Sequence, residues 1–197
     1  MSPADAKTEG ELWLVRHGET EWSKSGQHTG ATDVPLTEEG RRQAEALGAL
    51  LRHHEFARVL SSPKSRALET CRLAGYGDGV EIDGDLVEWD YGEYEGRTTA
   101  DIRKEQPGWT VWSGPVPGGE TPAKVAARTQ RVIDRAVTAD GGVALFAHGH
   151  VLRVLAATWL GLPPEAGRWF ALGTATLSVL GHERETRVIQ LWNRPAA

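Results

Sequence analysis

Cysteine is almost missing from this chain. Of its 197 residues only Cys71 is a cysteine, which excludes an internal disulfide framework and a zinc site built from several thiolates. No apolar run approaches the roughly 18 residues that a spanning helix needs. Blocks of about five or more basic residues are also absent. With a formal net charge of −5 and a pI near 5.8, the chain is poorly suited to nucleic acid or an anionic membrane surface. Any anion site must therefore be made locally, by a few converging cations. The opening residues, MSPADAKTEGE, lack the apolar core of a secretory signal. Residues 1–10 are expected to form a flexible tail, and the expected location is cytoplasmic.

What is present reads as an α/β chain, with residues 11–197 forming one domain. Three short apolar runs, ELWLV (11–15), ARVLSS (57–62) and GVALFAH (142–148), each break abruptly into polar residues. Brief Val- and Leu-rich runs of this kind suit strands buried on both faces of a parallel sheet. Helical patterns lie between them. Thr37 is a good N-cap, Glu38 and Glu39 favour the first turn, and Ala44, Leu47 and Leu51 recur at helical spacing. A second helix is predicted from near Ser65 to Gly75. A third runs from Pro122, capped by Thr121, to about Thr138. The fourth, HVLRVLAATWLG, is apolar nearly all round and stops at Gly161. TATLSVL and RVIQLWN flank GHERET as an antiparallel hairpin at the sheet's edge.

This alternation predicts a three-layer α/β/α sandwich with a mostly parallel central sheet, an antiparallel edge strand and a lid-like insertion. The insertion, about residues 84–120, is rich in Gly and Pro and carries Trp89, Trp109 and Trp112. It reads either as a lid or as a surface excursion packed by its own aromatics. The edge hairpin offers a strand that can pair across a two-fold in a homodimer, although nothing requires it.

In open α/β sheets, ligands bind beyond the carboxyl ends of the strands. The first predicted strand delivers Arg16 and His17 there. The second leads through SSPKSR to Arg66, and the third delivers His148, Gly149 and His150. Two guanidiniums and two imidazoles at one edge make a dianion pocket, to which a helix N-terminus adds backbone N–H groups. A neutral imidazole can take a phosphoryl group, so His17 is the candidate nucleophile. Arg16, Arg66 and His148 would stabilise the transferring oxygens, the part Mg²⁺ plays elsewhere. Glu88, beside Trp89, is the candidate proton donor, its pKa raised by burial against aromatics. Asp85, Asp90, Glu93 and Glu95 are nearby competitors, and Glu120 reads as a substrate-loop residue or as complementing the next helix dipole.

Other motifs are weaker. His148 and His150 resemble a metal pair but lack a convincing third ligand, so no metal or cofactor is expected. Cys71 lacks the arginine six residues on that a cysteine phosphatase loop requires; that position is Gly77. VEIDGDLVE resembles the nucleophile loop of Mg²⁺-dependent aspartate phosphatases, without their later lysine and acidic pair. His53 and His54 read as a solvated helix end.

RHGET, SSPKSRALET, EWDYGEYEG and FAHGH, in that order over about residues 11–180, together resemble the histidine phosphatase superfamily, the phosphoglycerate-mutase-like proteins. The resemblance implies a three-layer fold, a phosphohistidine intermediate and no metal. His17 matches the nucleophile, Arg16 and Arg66 the phosphate-binding arginines, Glu88 the proton donor and His148 the second pocket histidine. The mutases typically carry Asn where this chain has Ser23, and ERHYG where it has EWDYG. The chain is instead similar to the sedoheptulose-bisphosphatase-like branch and to short bacterial acid phosphatases. By that analogy Ser23, Thr29, Gly30 and Tyr91 line the phosphate and substrate site, with Gly149 beside His148. The implied activity is metal-independent hydrolysis of a small phosphorylated metabolite. A mutase-type phosphotransferase and an inactive phospho-ligand-binding protein are the alternatives.

Overall fold

Strand side chains alternate between the two faces of a sheet, and here that alternation divides the core in two. A computed structural model describes residues 10–196; the rest of the expected tail lies outside the described residues. Six strands form one sheet in the order β3-β2-β4-β1-β5-β6: β1 (Leu12–Arg16), β2 (Arg58–Ser61), β3 (Glu81–Ile82), β4 (Val143–Ala147), β5 (Thr176–Glu183) and β6 (Thr186–Pro195). β3, β2, β4 and β1 run parallel, and β5 and β6 add two antiparallel strands beyond β1. The predicted hairpin is thus present, and both its strands belong to the sheet.

Leu12 and Leu14 of β1 pack with Val143 and Leu145 of β4 toward α5 (Pro122–Ala136) and α6 (Gly149–Trp159). Trp13 and Val15 face the other way, joining Ala144, Phe146 and the apolar face of α2 (Glu38–Leu51). Helices therefore cover both faces. The caps are those the sequence suggests: Thr37 accepts from the Gly40 N–H, and Thr121 from the Lys124 N–H. The second predicted helix divides into α3 (Ser65–Cys71) and a π turn over Arg72–Tyr76, where Gly75 takes φ 92°.

The segment between β3 and α5 has little regular structure beyond short turns and α4 (Thr99–Glu105). Its aromatics are nevertheless core: Trp89, Tyr91, Tyr94, Trp109 and Trp112 are buried in the same cluster as α5 and α6. Full burial of such side chains is worth roughly 2 kcal/mol each. That burial moors the insertion to the sheet. Among the described residues no helix is long and apolar enough to cross a membrane.

Candidate active site

Because β1, β2 and β4 are parallel, their carboxyl ends meet at one edge of the sheet. The ladder continues one residue past each: the His17 N–H donates to the Ala147 carbonyl at 3.0 Å, and the Ser62 N–H to the Phe146 carbonyl at 2.9 Å. On the other side of His17, the Ala175 N–H donates to its carbonyl at 3.0 Å. Ala175 itself holds φ 48°, in the left-handed region. Gly18 lets the loop turn against α2, since a Cβ there would lie 2.2 Å from the Gly40 carbonyl oxygen.

The His17 ring is buried. Its Nδ1 lies 2.7 Å from the Gly18 carbonyl oxygen, which can only accept, so Nδ1 carries the proton and the Nε2 lone pair is left available. Burial first, then the Arg16 and Arg66 charges, hold the imidazole well below its usual pKa. Arg16 donates through Nη1 to the Leu172 carbonyl, while its buried Nε has no hydrogen-bond partner among the described residues. Gly149 makes room for this guanidinium: a Cβ there would sit 3.3 Å from its central carbon.

Arg66 is fully buried and bound to main chain. Nη1 donates to the Thr32 carbonyl at 3.0 Å, and Nη2 to those of Thr29 at 3.1 Å and Gly30 at 3.4 Å. Its Nε donates to His148 Nδ1 at 3.1 Å. Arginine only donates, so the His148 proton must sit on Nε2, which meets Ser62 Oγ at 2.8 Å. Both ring nitrogens of His148 are therefore engaged, and burial and the Arg66 charge keep the ring neutral.

A cavity of about 380 Å³ opens in front of His17. Of the residues singled out from the sequence, Arg16, His17, Ser23, Thr29, Glu88, Tyr91 and Gly149 line it. Arg66, His148 and Gly30 stand behind its wall. Ser23 also spends its hydroxyl on the cap of α1 (Glu21–Ser25), bonded to the Thr20 N–H at 2.8 Å and the Thr20 carbonyl at 2.9 Å. Thr29 Oγ1 donates to the Gln27 carbonyl at 3.1 Å. The Gly30 N–H donates to Glu95 at 2.9 Å, removing that carboxylate from the cavity. Tyr91 meets His150 Nδ1 through its hydroxyl at 2.6 Å.

Glu88 is held in a way its sequence neighbours do not reveal. Oε1 accepts from the Trp89 and Val151 N–H groups and Oε2 from the His150 N–H, each at 2.9 Å, so the carboxyl caps the start of α6. Its main chain is clamped by buried Arg128, whose Nη1 donates to the carbonyls of Asp85 and Val87 at 2.7 and 2.6 Å. Nη2 reaches the Glu88 carbonyl at 3.1 Å. Glu120 completes the clamp, pairing with Arg128 through two bonds of 3.0 Å. It is thus a partner of Arg128 and receives the Asp90 N–H.

The weaker motifs are absorbed elsewhere. Asp83 and Asp85 pair with Arg131 and Arg135 beside β3, outside this cavity. The Cys71 thiol is buried and pushed up to about 12. Sequence reasoning did not single out His28, Arg103, Trp112 or Arg153 as cavity residues. Arg153 had a signal: it is the lone charge in an otherwise apolar helix, four residues beyond Gly149. His28 is a buried imidazole, lowered to about 4 chiefly by burial.

Comparison with known proteins identifies the family. Residues 12–195 match the family described as the histidine phosphatase superfamily (branch 1). An acid phosphatase of Mycobacterium tuberculosis is 42% identical over 191 residues, covering 93% of this chain and 94% of the relative. A sedoheptulose 1,7-bisphosphatase of Saccharomyces cerevisiae is 38% identical over 182 residues, 76% of this chain and 67% of the relative. A solved structure of a Mycobacterium tuberculosis protein superposes with a TM-score of 0.91 at 40% identity, covering 95% of this chain and 98% of that one.

Proposed function

We propose, from the premise that this chain belongs to the histidine phosphatase superfamily and is a phosphatase, that it hydrolyses a small phosphorylated metabolite by passing the phosphoryl group through His17. One observation carries this reading: the Nδ1–H bond to the Gly18 carbonyl leaves Nε2 as a neutral nucleophile on a residue that lines the cavity.

In the first step, Nε2 bonds to phosphorus as the bond to the ester oxygen breaks, and that oxygen takes the proton of the Glu88 carboxyl. In the second, water attacks phosphorus and gives a proton to the Glu88 carboxylate, and the nitrogen–phosphorus bond breaks. Phosphate leaves and His17 is neutral again. Arg16, with an unspent Nε–H, and the Gly149 N–H at the start of α6 receive the phosphoryl oxygens. Arg66 adds charge from behind the wall, and His148, fixed between Arg66 and Ser62, holds that charge in place. Ser23, Thr29 and Tyr91 contact the substrate from the wall, and Gly30 acts through its carbonyl on Arg66. The net charge of −5 favours a small-molecule partner over nucleic acid, and we place the reaction in the cytoplasm.

Incubation with a phosphorus-labelled ester followed by a base quench should trap acid-labile label on His17, with free phosphate released and no bisphosphate primer needed. Turnover without label on His17 would overturn the mechanism. Phosphate appearing only with a primer would indicate a mutase.

A further inference from the structure

Two arginines in the cavity take no part in the reaction described above. Arg103, on α4, and Arg153, on α6, line the same space as His17. Arg153 is half-buried; its Nε and Nη2 donate to the carbonyls of Gly167 at 2.9 Å and Arg168 at 3.1 Å, and its guanidinium lies 4.7 Å over the Trp112 ring. Arg103 is exposed and uses its Nε on the Trp109 carbonyl at 2.8 Å. Among the described residues neither is paired with a carboxylate, whereas Arg128, Arg131 and Arg135 all are.

The charge around them is one-sided. Among the described residues Glu88 is the only carboxylate lining the cavity, and His28 and His150 are both held below their usual pKa by burial. A half-buried guanidinium without a counter-charge gives up hydration that an anionic ligand would replace. One phosphoryl dianion is already matched by Arg16 and Arg66. Arg103 and Arg153 are surplus to it. Their position is also informative: Arg103 belongs to the insertion that carries Glu88, and Arg153 lies on α6, whose first N–H groups hold the Glu88 carboxyl. The proton donor marks the leaving-group end of the site, so these two cations belong there.

We infer that Arg103 and Arg153 form a second anion subsite, so that the substrate carries a second phosphate or a carboxylate on its leaving group. The inference deepens, and rests on, the phosphatase reading above. The planar guanidinium of Arg153, stacked on Trp112, presents its remaining N–H groups as a fork suited to either anion.

The test compares hydrolysis of alkanediol bisphosphates, about three to seven carbons long to match the cavity, with the matching monophosphates and with phosphorylated hydroxy acids. A kcat/KM at least about tenfold higher with the second anion is expected, falling with added salt. Arg103→Gln should cut that ratio to about twofold or less, Arg103→Lys should keep most of it, and Arg153→Met, which retains a stem on Trp112, should also lower it. Phosphate and carboxylate series identify which anion is preferred. Calorimetric titration with the corresponding bisphosphonates and monophosphonates reads the same ratio as a Kd, even in a protein that turns nothing over. Equal kcat/KM or Kd for the two series, unmoved by Arg103→Gln and Arg153→Met, would overturn the inference and leave the phosphatase reading standing. Bisphosphonate preference without turnover would support the subsite and overturn the phosphatase reading.

Discussion

His17 and Glu88 reach one cavity from two kinds of support. His17 is fixed by main chain alone, its N–H on Ala147 and its carbonyl on Ala175, one residue beyond a strand that has neighbours on both sides. Glu88 lies in a segment with no ladder. Its carbonyl and those before it hang from the Arg128 side chain, and its carboxyl rests on N–H groups of Trp89, His150 and Val151. A main-chain mount survives most substitutions around it, because every residue but proline supplies the same N–H and carbonyl. A side-chain clamp depends on the identity of its residues. The position of His17 is therefore a property of the fold, and that of Glu88 is a property of Arg128 and Glu120.

The sharpest test of this contrast removes the His17 imidazole from an intact mount. His17→Ala should lower kcat by at least about 10⁴-fold with unchanged circular dichroism and melting temperature within a few degrees. A large loss of stability would show that the imidazole itself holds the loop. Next, Glu88→Gln should slow alkyl phosphates by about 10²- to 10⁴-fold and nitrophenyl phosphate far less, since a good leaving group needs no proton. Equal slowing of both would remove Glu88 from the role of acid.

Arg128→Met probes the clamp. It leaves Glu120 and the carbonyls of Asp85, Val87 and Glu88 without their partner, at a cost of about 3 kcal/mol measurable by urea unfolding. The same variant should reproduce a weaker form of the Glu88→Gln leaving-group dependence, about tenfold on alkyl phosphates. Stability loss without that dependence would mean the clamp serves folding only.

The smallest effect is linked to pH. His28 packs 4.6 Å from the Tyr91 ring and stays neutral down to about 4, whereas an unfolded imidazole titrates near 6.5. Between those values the unfolded chain binds a proton that the folded one does not, so stability from this group is full above pH 6.5 and declines as pH falls toward 4. The loss amounts to about 3 kcal/mol at most. His28→Gln should flatten the difference between unfolding free energies at pH 7 and pH 4.5 by a measurable part of that; an unchanged difference would assign the acid sensitivity to other groups.

This contrast also explains what could be read in the sequence. Arg16, His17 and His148 were legible because an apolar strand that ends in charged residues leaves a visible break, and Thr37, Thr121 and Pro122 announced their helices. Side-chain chemistry over long separations was hidden. Arg128 reads as one polar residue on a helix face, yet it reaches back to Asp85, Val87 and Glu88. The aromatics of the insertion carry no helical or alternating period, so their burial with α5 and α6 could not be foreseen. β3, with the two residues Glu81 and Ile82, is too short to leave a pattern.

The clamp on Glu88 has a consequence for how such a protein can diversify. Between the Arg128 anchor at one end and Thr121 at the other, the insertion meets the sheet through buried aromatic side chains rather than through strand pairing. Its exposed residues, Arg103 of α4 among them, can accumulate changes while the strand ends that hold Arg16 and His17 are untouched. Changes in the insertion and changes at the strand ends are thereby separately inheritable, and the wall of the cavity can be remodelled without rebuilding the mount of His17.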